Sequence, residues 1–345
     1  MVGPQAEHAS RAEQPPSLRG VRVLDLTRLL PGAYATLLLA DLGADVVKIE
    51  DPRGGDGMRH LPLTGGVNVY FERLNRNKRS VTLDLRSTDA VAVLDALAAR
   101  ADVLVESFRP STARRLGVDA ATLRAKHPRL ICASISGFGQ DGPYVERAAH
   151  DINYQALAGL LRPPQVPGPL IGDIGSAMSA ALRIAAALFE RSQTGVGCAL
   201  DVSIHDAALA WALFPTPADF PPARYNVYET ADGQWLALGA LERKFWNGFC
   251  ERLGIPVTAT VDEVRGVMRT RTRDEWLTRF ADADVCLTPV LTPRQVAVDP
   301  HVVARGLATA PGRNAPALGA DTDALLESAG ISAPERARLR AAGVI

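Results

Sequence analysis

From residue 21 onward, short apolar runs of β character alternate with stretches of helical period, and a chain patterned in that way is built from parallel βαβ units. "VRVLDL" (21–26) predicts a strand. Pro31 suits the first turn of the helix "PGAYATLLLADL", Gly43 ends it, and "ADVVKIE" is the next strand. A basic turn, "NRNKRS", leads into the strand "VTLDL", and "STDAVAVLDALAARA" predicts a helix capped by Ser87 or Thr88. The strand "DVLVES", two short helices and "RLICASIS" complete the series. The first 140 residues therefore predict an open, Rossmann-like parallel sheet with helices on both faces, a fold that gathers ligands beyond the carboxyl ends of its strands.

Helices are expected near 151–161 and 173–192, followed by "CALDVSI" and the helix "HDAALAWALF". The Pro-rich stretch "PTPADFPPARY" marks a domain boundary. Beyond it "NVYET" and "QWLALGA" flank "ADG", a hairpin signal belonging to a different, antiparallel architecture. Helices near 242–253 and 272–281 and a strand "DVCLTPVL" follow, and the C-terminal stretch is helical. The expected organisation is a tail (1–20), a large α/β domain (21–215), a linker (216–225), a small α+β domain (226–300) and a return segment (301–345) that packs on the large domain.

Charge and composition narrow the function classes. Acids and bases balance at 38 each, so a general polyanion binder for nucleic acid is not expected and any anion site must be local. The first 20 residues lack an apolar h-region, and the apolar run "AMSAALRIAAALF", interrupted by Arg183, falls short of the roughly 20 residues of a membrane span. A cytoplasmic protein without a membrane partner is expected. Cys132, Cys198, Cys250 and Cys286 lie far apart without metal-ligand spacing, so neither a disulfide framework nor a metal site is expected.

Gly137, Gly139 and Gly142 in "SISGFGQDGPY" match G-x-G-x-x-G after a strand, but Pro143 and a polar stretch follow where a dinucleotide fold requires a helix. A glycine-rich active-site loop is the better reading. Lys48, the group Arg76, Lys78 and Arg79, and Arg109 beyond a strand's carboxyl end could meet phosphate or remain solvated charges. His150 and Asp151 precede a helix: either Asp151 caps it with His150 as bystander, or His150 transfers protons near neutral pH. Asp173 between two glycines either caps an apolar helix or faces a ligand with close backbone access. Glu242 reads equally as a first-turn acid.

The blocks "RVLDLTRLLPGAYATLLLADLGADVVKIEDPRGGD", "LNRNKRSVTLDLR", "VLVESFRPSTARRLG", "AHDINYQALAGLL", "IGDIGSAMSAALRIAAALFERSQTG" and "VYETADGQWLALGALERKFW", in that order, resemble the CaiB/BaiF family, the family III CoA-transferases, and within it the α-methylacyl-CoA racemase branch. The resemblance implies an interlocked homodimer and an acyl-CoA thioester as substrate, with coenzyme A part of the substrate and no further cofactor. Lys48, Arg76, Lys78, Arg79 and Arg109 match contacts to the coenzyme's nucleotide and phosphates. Asp173 matches the carboxylate that is nucleophile in the transferases and acid/base in the racemases, His150 the histidine marking the racemase branch, and Glu242 its small-domain partner acid.

That resemblance implies 1,1-proton transfer at the thioester α-carbon, with His150 and Asp173 on opposite faces and backbone amides of "GDIGS" facing the enolate oxygen. A CoA-transferase using Asp173 as nucleophile is the second reading, and a catalytically reduced CoA-binding paralogue the third. Segments near 215–225, 255–268 and 303–318 are shortened relative to the family, and His205 stands where an apolar residue is more usual.

Overall fold

The computed structural model describes residues 17–61, 68–214, 219–307 and 312–345, so most of the expected tail lies outside the described residues. Leu18, within the tail's expected bounds, is nevertheless tied down: its N–H donates to Leu42 O at 2.9 Å and its side chain packs on the core.

The chain divides into a large unit, residues 1–212 with 311–345, and a small unit, 213–310. Among the described residues, the large unit's sheet has six strands: β1 (Arg22–Leu26), β2 (Asp45–Glu50), β3 (Arg79–Thr82), β4 (Val103–Glu106), β5 (Ile131–Ser136) and β6 (Ala199–Ser203). All pair in parallel, in the order β3-β2-β1-β4-β5-β6, so the direction of winding reverses between β1 and β4. The edge strand β6 comes from "CALDVSI", outside the stretch from which the sheet was expected.

Strand side chains alternate between two cores, as a pleat covered on both faces requires. Val23, Val103, Val105, Ile131 and Ile135 join helices α1 (Leu29–Asp41), α6 (Asp151–Leu157), α7 (Ile171–Thr194) and α8 (Ile204–Ala212). Leu24, Leu26, Leu104 and Cys132 join α3 (Ala90–Ala98), α4 (Pro110–Leu116), α5 (Ala120–Lys126), α14 (Thr322–Ser328) and α15 (Ala333–Ala341). A short α2 (Val69–Asn75) packs against α1.

The structure moves several boundaries. β3 starts two residues before the apolar run because Arg79 pairs opposite Val47, and it stops early because Asp84 N–H is taken by Val344 O of the returning C-terminus. Neither Ser87 nor Thr88 is the N-cap of α3; Asp89 is, and Ser87 Oγ instead accepts the Asp89 N–H at 3.2 Å. α7 runs for 24 residues, long and apolar enough to cross a membrane, against the expectation that no helix reaches that length. One face of it is core: Ala177, Ala180, Ile184 and Ala187 are buried against the sheet and α1.

The small unit holds the expected hairpin, β7 (Tyr225–Glu229) antiparallel to β8 (Trp235–Gly239), with β9 (Leu287–Pro289) completing a three-stranded sheet. α9 (Arg243–Leu253), α10 (Val261–Met268) and α11 (Arg273–Arg279) cover it through Trp246, Phe249, Met268 and Trp276. Short helices α12 (Pro293–Val296) and α13 (Pro300–Ala304) follow.

Candidate active site

The chemistry gathers where α6 and α7 begin. Asp151 does not cap its own helix. His150 is the N-cap of α6, its N–H donating to Asn153 Oδ1 at 3.0 Å, and Asp151, 4% exposed, reaches across to α7. Asp151 Oδ1 accepts the Asp173 N–H at 2.9 Å and its other oxygen accepts from Gln155 Nε2, which also donates to Pro169 O at 3.0 Å. An orphan amide of the α7 first turn is thereby satisfied from outside the helix. Gly172 permits the approach, since a Cβ there would stand 3.2 Å from Asp151 Oδ1 and 3.2 Å from Ile204.

Two carboxyl groups in one half-buried place cannot both ionise freely. Burial, then the Asp151 charge, pushes Asp173 up from 3.8 to about 7. No cation among the described residues offsets either effect. Tyr154, also 4% exposed, is pushed up to about 12 by burial and by the charges of Asp173 and Asp151. Asp173 therefore carries and releases a proton near neutral pH, and His150 lies exposed at the neighbouring helix start. Of the "GDIGS" amides, those of Asp173 and Ile174 are engaged, by Asp151 and by Leu170 O.

The glycine motif after β5 is a loop with no helix before α6; Gly139 and Gly142 have φ of +84° and +89°. At Gly137 a Cβ would lie 2.5 Å from Tyr154 Oη, so the loop and the tyrosine close on each other. Phe138 packs edge-on to Tyr144 and Tyr154, at 5.4 and 5.3 Å between ring centroids, and lies 5.7 Å from His205. His205 N–H donates to Gly137 O at 3.0 Å, which places that histidine against the loop.

The lysines expected at phosphates are inside the protein. Lys48 Nζ pairs with Asp56 at 2.9 Å and donates to Thr27 O; Lys78 Nζ pairs with Asp25 at 3.0 Å and donates to Ala33 O, Thr36 and Asn75. Both side chains are fully buried, so neither ammonium reaches a ligand in solvent. Burial lowers Lys78 to about 8, whereas for Lys48 the charges of Asp25, Asp56 and Glu50 outweigh burial and raise it. Arg76 pairs with Asp41, and Arg79 bonds Asp45 with Nε 2.9 Å from Oδ1. Arg109 is exposed at the N-cap of α4, beyond the carboxyl end of β4.

A crevice of about 200 Å³ opens where the winding reverses, lined by Thr27, Arg28, Arg86, Phe108, Thr112 and Arg115 among others. Arg28 lies over the Phe108 ring at 5.3 Å, and Leu29 beside it is held at φ +64°, strain of about 1–2 kcal/mol in the turn that carries Arg28. Among the described residues Arg28, Arg109 and Arg115 have no ion-pair partner. Sequence reasoning passes over Arg28, Phe108 and Arg115, though their place past the ends of β1 and β4 was the available signal. Glu242 lies in the small unit, exposed as the N-cap of α9 rather than in its first turn, with no capping bond from its side chain.

Known proteins resemble this chain in sequence and fold. Residues 18–322 match the model of CoA-transferase family III. Human alpha-methylacyl-CoA racemase is 34% identical over 325 residues, covering 84% of this chain and 82% of its own. The succinyl-CoA–D-citramalate CoA-transferase of Chloroflexus aurantiacus is 32% identical over 335 residues, covering 85% and 83%. Among solved structures, Rv3272 of M. tuberculosis superposes with a TM-score of 0.78 at 28% identity, covering 89% of this chain and 98% of that one. A CaiB/BaiF family protein from Brucella suis gives 0.77 at 27%, covering 90% and 99%. With a family match over residues 18–322 and relatives at 32–34% identity across most of both chains, this chain belongs to CoA-transferase family III.

Proposed function

We propose that the protein is a 2-methylacyl-CoA racemase or epimerase. The observation that carries this reading is a carboxyl group held at about 7 beside a histidine-capped helix: Asp173 is tied through its N–H to Asp151, the residue next to His150. In one direction neutral His150 takes the α-proton, the C–H electrons pass into the thioester enolate, and protonated Asp173 returns a proton to the opposite face; the reverse direction exchanges the roles. A carboxyl that is half protonated near neutral pH suits both halves of that cycle. Glu242 enters the proposal as the small unit's acid supporting the imidazolium, and E242Q is expected to slow exchange without weakening coenzyme binding.

The proposal seats the coenzyme's nucleotide at the crevice where the winding reverses. Phe108 offers an aromatic face, and Arg28 and Arg115 bring guanidinium groups for phosphate, with Arg109 exposed at the adjoining N-cap of α4. Coenzyme A enters as part of the substrate, and the proposed chemistry uses no metal. A homodimer is part of the same proposal: Met178, Leu182 and Phe189 lie along one face of α7 and are 55%, 72% and 71% exposed.

The transferase reading keeps Asp173 as a nucleophile attacking the thioester, and relatives at 32% identity carry that activity in their names. One incubation separates the readings: a single epimer of a 2-methylacyl-CoA in deuterium oxide, with a labelled free acid. Solvent deuterium at the α-carbon with loss of stereochemical purity supports racemisation. Label moving from the acid into the thioester overturns it in favour of transfer. Binding of coenzyme A with neither outcome leaves the reduced, CoA-binding paralogue.

A further inference from the structure

Glu106 is the last residue of β4, at the strand end beside the winding reversal, and is 2% exposed. Its side chain falls on the same face as Leu104, opposite Leu26 on β1 and Ser134 on β5. Oε2 accepts the Phe108 N–H at 2.8 Å, bending the chain into the Ser107–Phe108–Arg109 turn, and Oε1 is buried. The turn carries the crevice's contacts: Ser107 Oγ accepts the Arg28 N–H at 3.0 Å, Phe108 lies under the Arg28 guanidinium, and Arg109 caps α4, which brings Thr112 and Arg115 to the wall.

The ionisable groups facing Glu106 are the Asp119 carboxylate at the start of α5, which repels its charge, and the Cys132 thiol on β5, itself pushed up to about 12 by burial. Arg124 of α5 acts on Cys132 and does not pair with Glu106. Burial is the main cause that raises Glu106 to about 7; the Ser134 hydroxyl and the Phe108 N–H oppose it, and Asp119 adds to it. Glu106 stands behind Leu26 and Phe108 of the crevice wall, and an anionic ligand in the crevice would repel its charged form, so ligand and proton favour one another.

We propose that Glu106 is a positioning residue for the coenzyme, which fixes the Ser107–Arg109 turn and must be uncharged for the adjoining crevice to hold a phosphorylated anion tightly. The proposal rests on reading that crevice as the nucleotide site. It makes coenzyme affinity fall as pH rises through neutrality, a dependence the proton-transfer pair does not require.

The test uses the full chain with free coenzyme A as probe, measuring Kd by calorimetry from pH 6 to pH 8 for wild type, E106Q and E106A, with thermal melting of each. If only the uncharged form binds tightly, wild-type Kd weakens by up to about tenfold at pH 8. E106Q keeps an uncharged acceptor for the Phe108 N–H, so its Kd should match wild type at pH 6 and lack the added weakening; the wild-type to E106Q ratio cancels titration of the ligand itself. E106A should bind more weakly throughout. A ratio that stays constant with pH, or E106A binding as tightly as wild type at pH 6, overturns the proposal. Failure of wild type to bind coenzyme A at any pH overturns the reading of the crevice, and this inference with it.

Discussion

Replacing Asp151 by Asn isolates what holds Asp173 near neutrality. Asp173 stands at about 7 against 3.8 for an ordinary aspartate, with burial the larger cause and the Asp151 charge the smaller. Asp151 thus supplies less than half of that rise of about 3 (7 minus 3.8); a contribution of about 1 corresponds to about 1.4 kcal/mol. Coulomb's law gives the scale: for an illustrative separation of about 6 Å at an effective dielectric of about 20, two carboxylates repel by about 3 kcal/mol, less where solvent reaches one of them. Asn retains an oxygen for the Asp173 N–H, but its amide then meets Gln155 Nε2, another donor. Gln155 must turn and give up Pro169 O, costing about 1 kcal/mol of stability. The variant should therefore fold with a slightly lower melting temperature. The limb of the α-proton exchange profile that reports Asp173 should move about one pH unit to the acid side. A folded D151N whose profile does not move refutes the assignment of Asp151 as the group that tunes Asp173.

Three further outcomes follow from the same geometry. An acid whose folded value is raised costs stability above its unfolded value of 3.8, the loss building up to about pH 7; D173N should therefore melt higher than wild type at pH 8, by about 1–2 kcal/mol allowing for partial exposure, and show no advantage at pH 4. K78A strips Asp25 of one of its two buried lysines and should cost about 3–5 kcal/mol in chemical denaturation, a stability defect first and a binding defect only through it. G137A puts a methyl group 2.5 Å from Tyr154 Oη and should lower the exchange rate while leaving coenzyme A affinity within about twofold, measured by calorimetry beside the exchange assay.

The strands and principal helices were legible because period and punctuation coincide. Val23, Leu24 and Leu26 mark a two-sided strand, and Gly43, at φ +95°, follows the helix it was expected to end. The site was legible as a set of residues but not as a set of contacts. Lys48 lies within β2 and Lys78 just before β3, and their partners Asp56 and Asp25 come from elsewhere in the fold, so no local spacing announces them. Asp151 has a capping residue's sequence position and caps a different helix, since Gly172 lets α7 approach it. Arg28 and Phe108 meet only because β1 and β4 are neighbours where the winding reverses. Pairings across the sheet order are what a one-dimensional pattern omits.

The two-base claim is tested most directly by following α-proton exchange in deuterium oxide from each pure epimer of a 2-methylacyl-CoA, using H150Q and D173N. With one proton-transferring group on each face, each variant should lose exchange from one epimer and keep measurable exchange from the other, and the two variants should lose opposite epimers. Both variants losing the same epimer, or H150Q exchanging both epimers at the wild-type rate, would contradict the account.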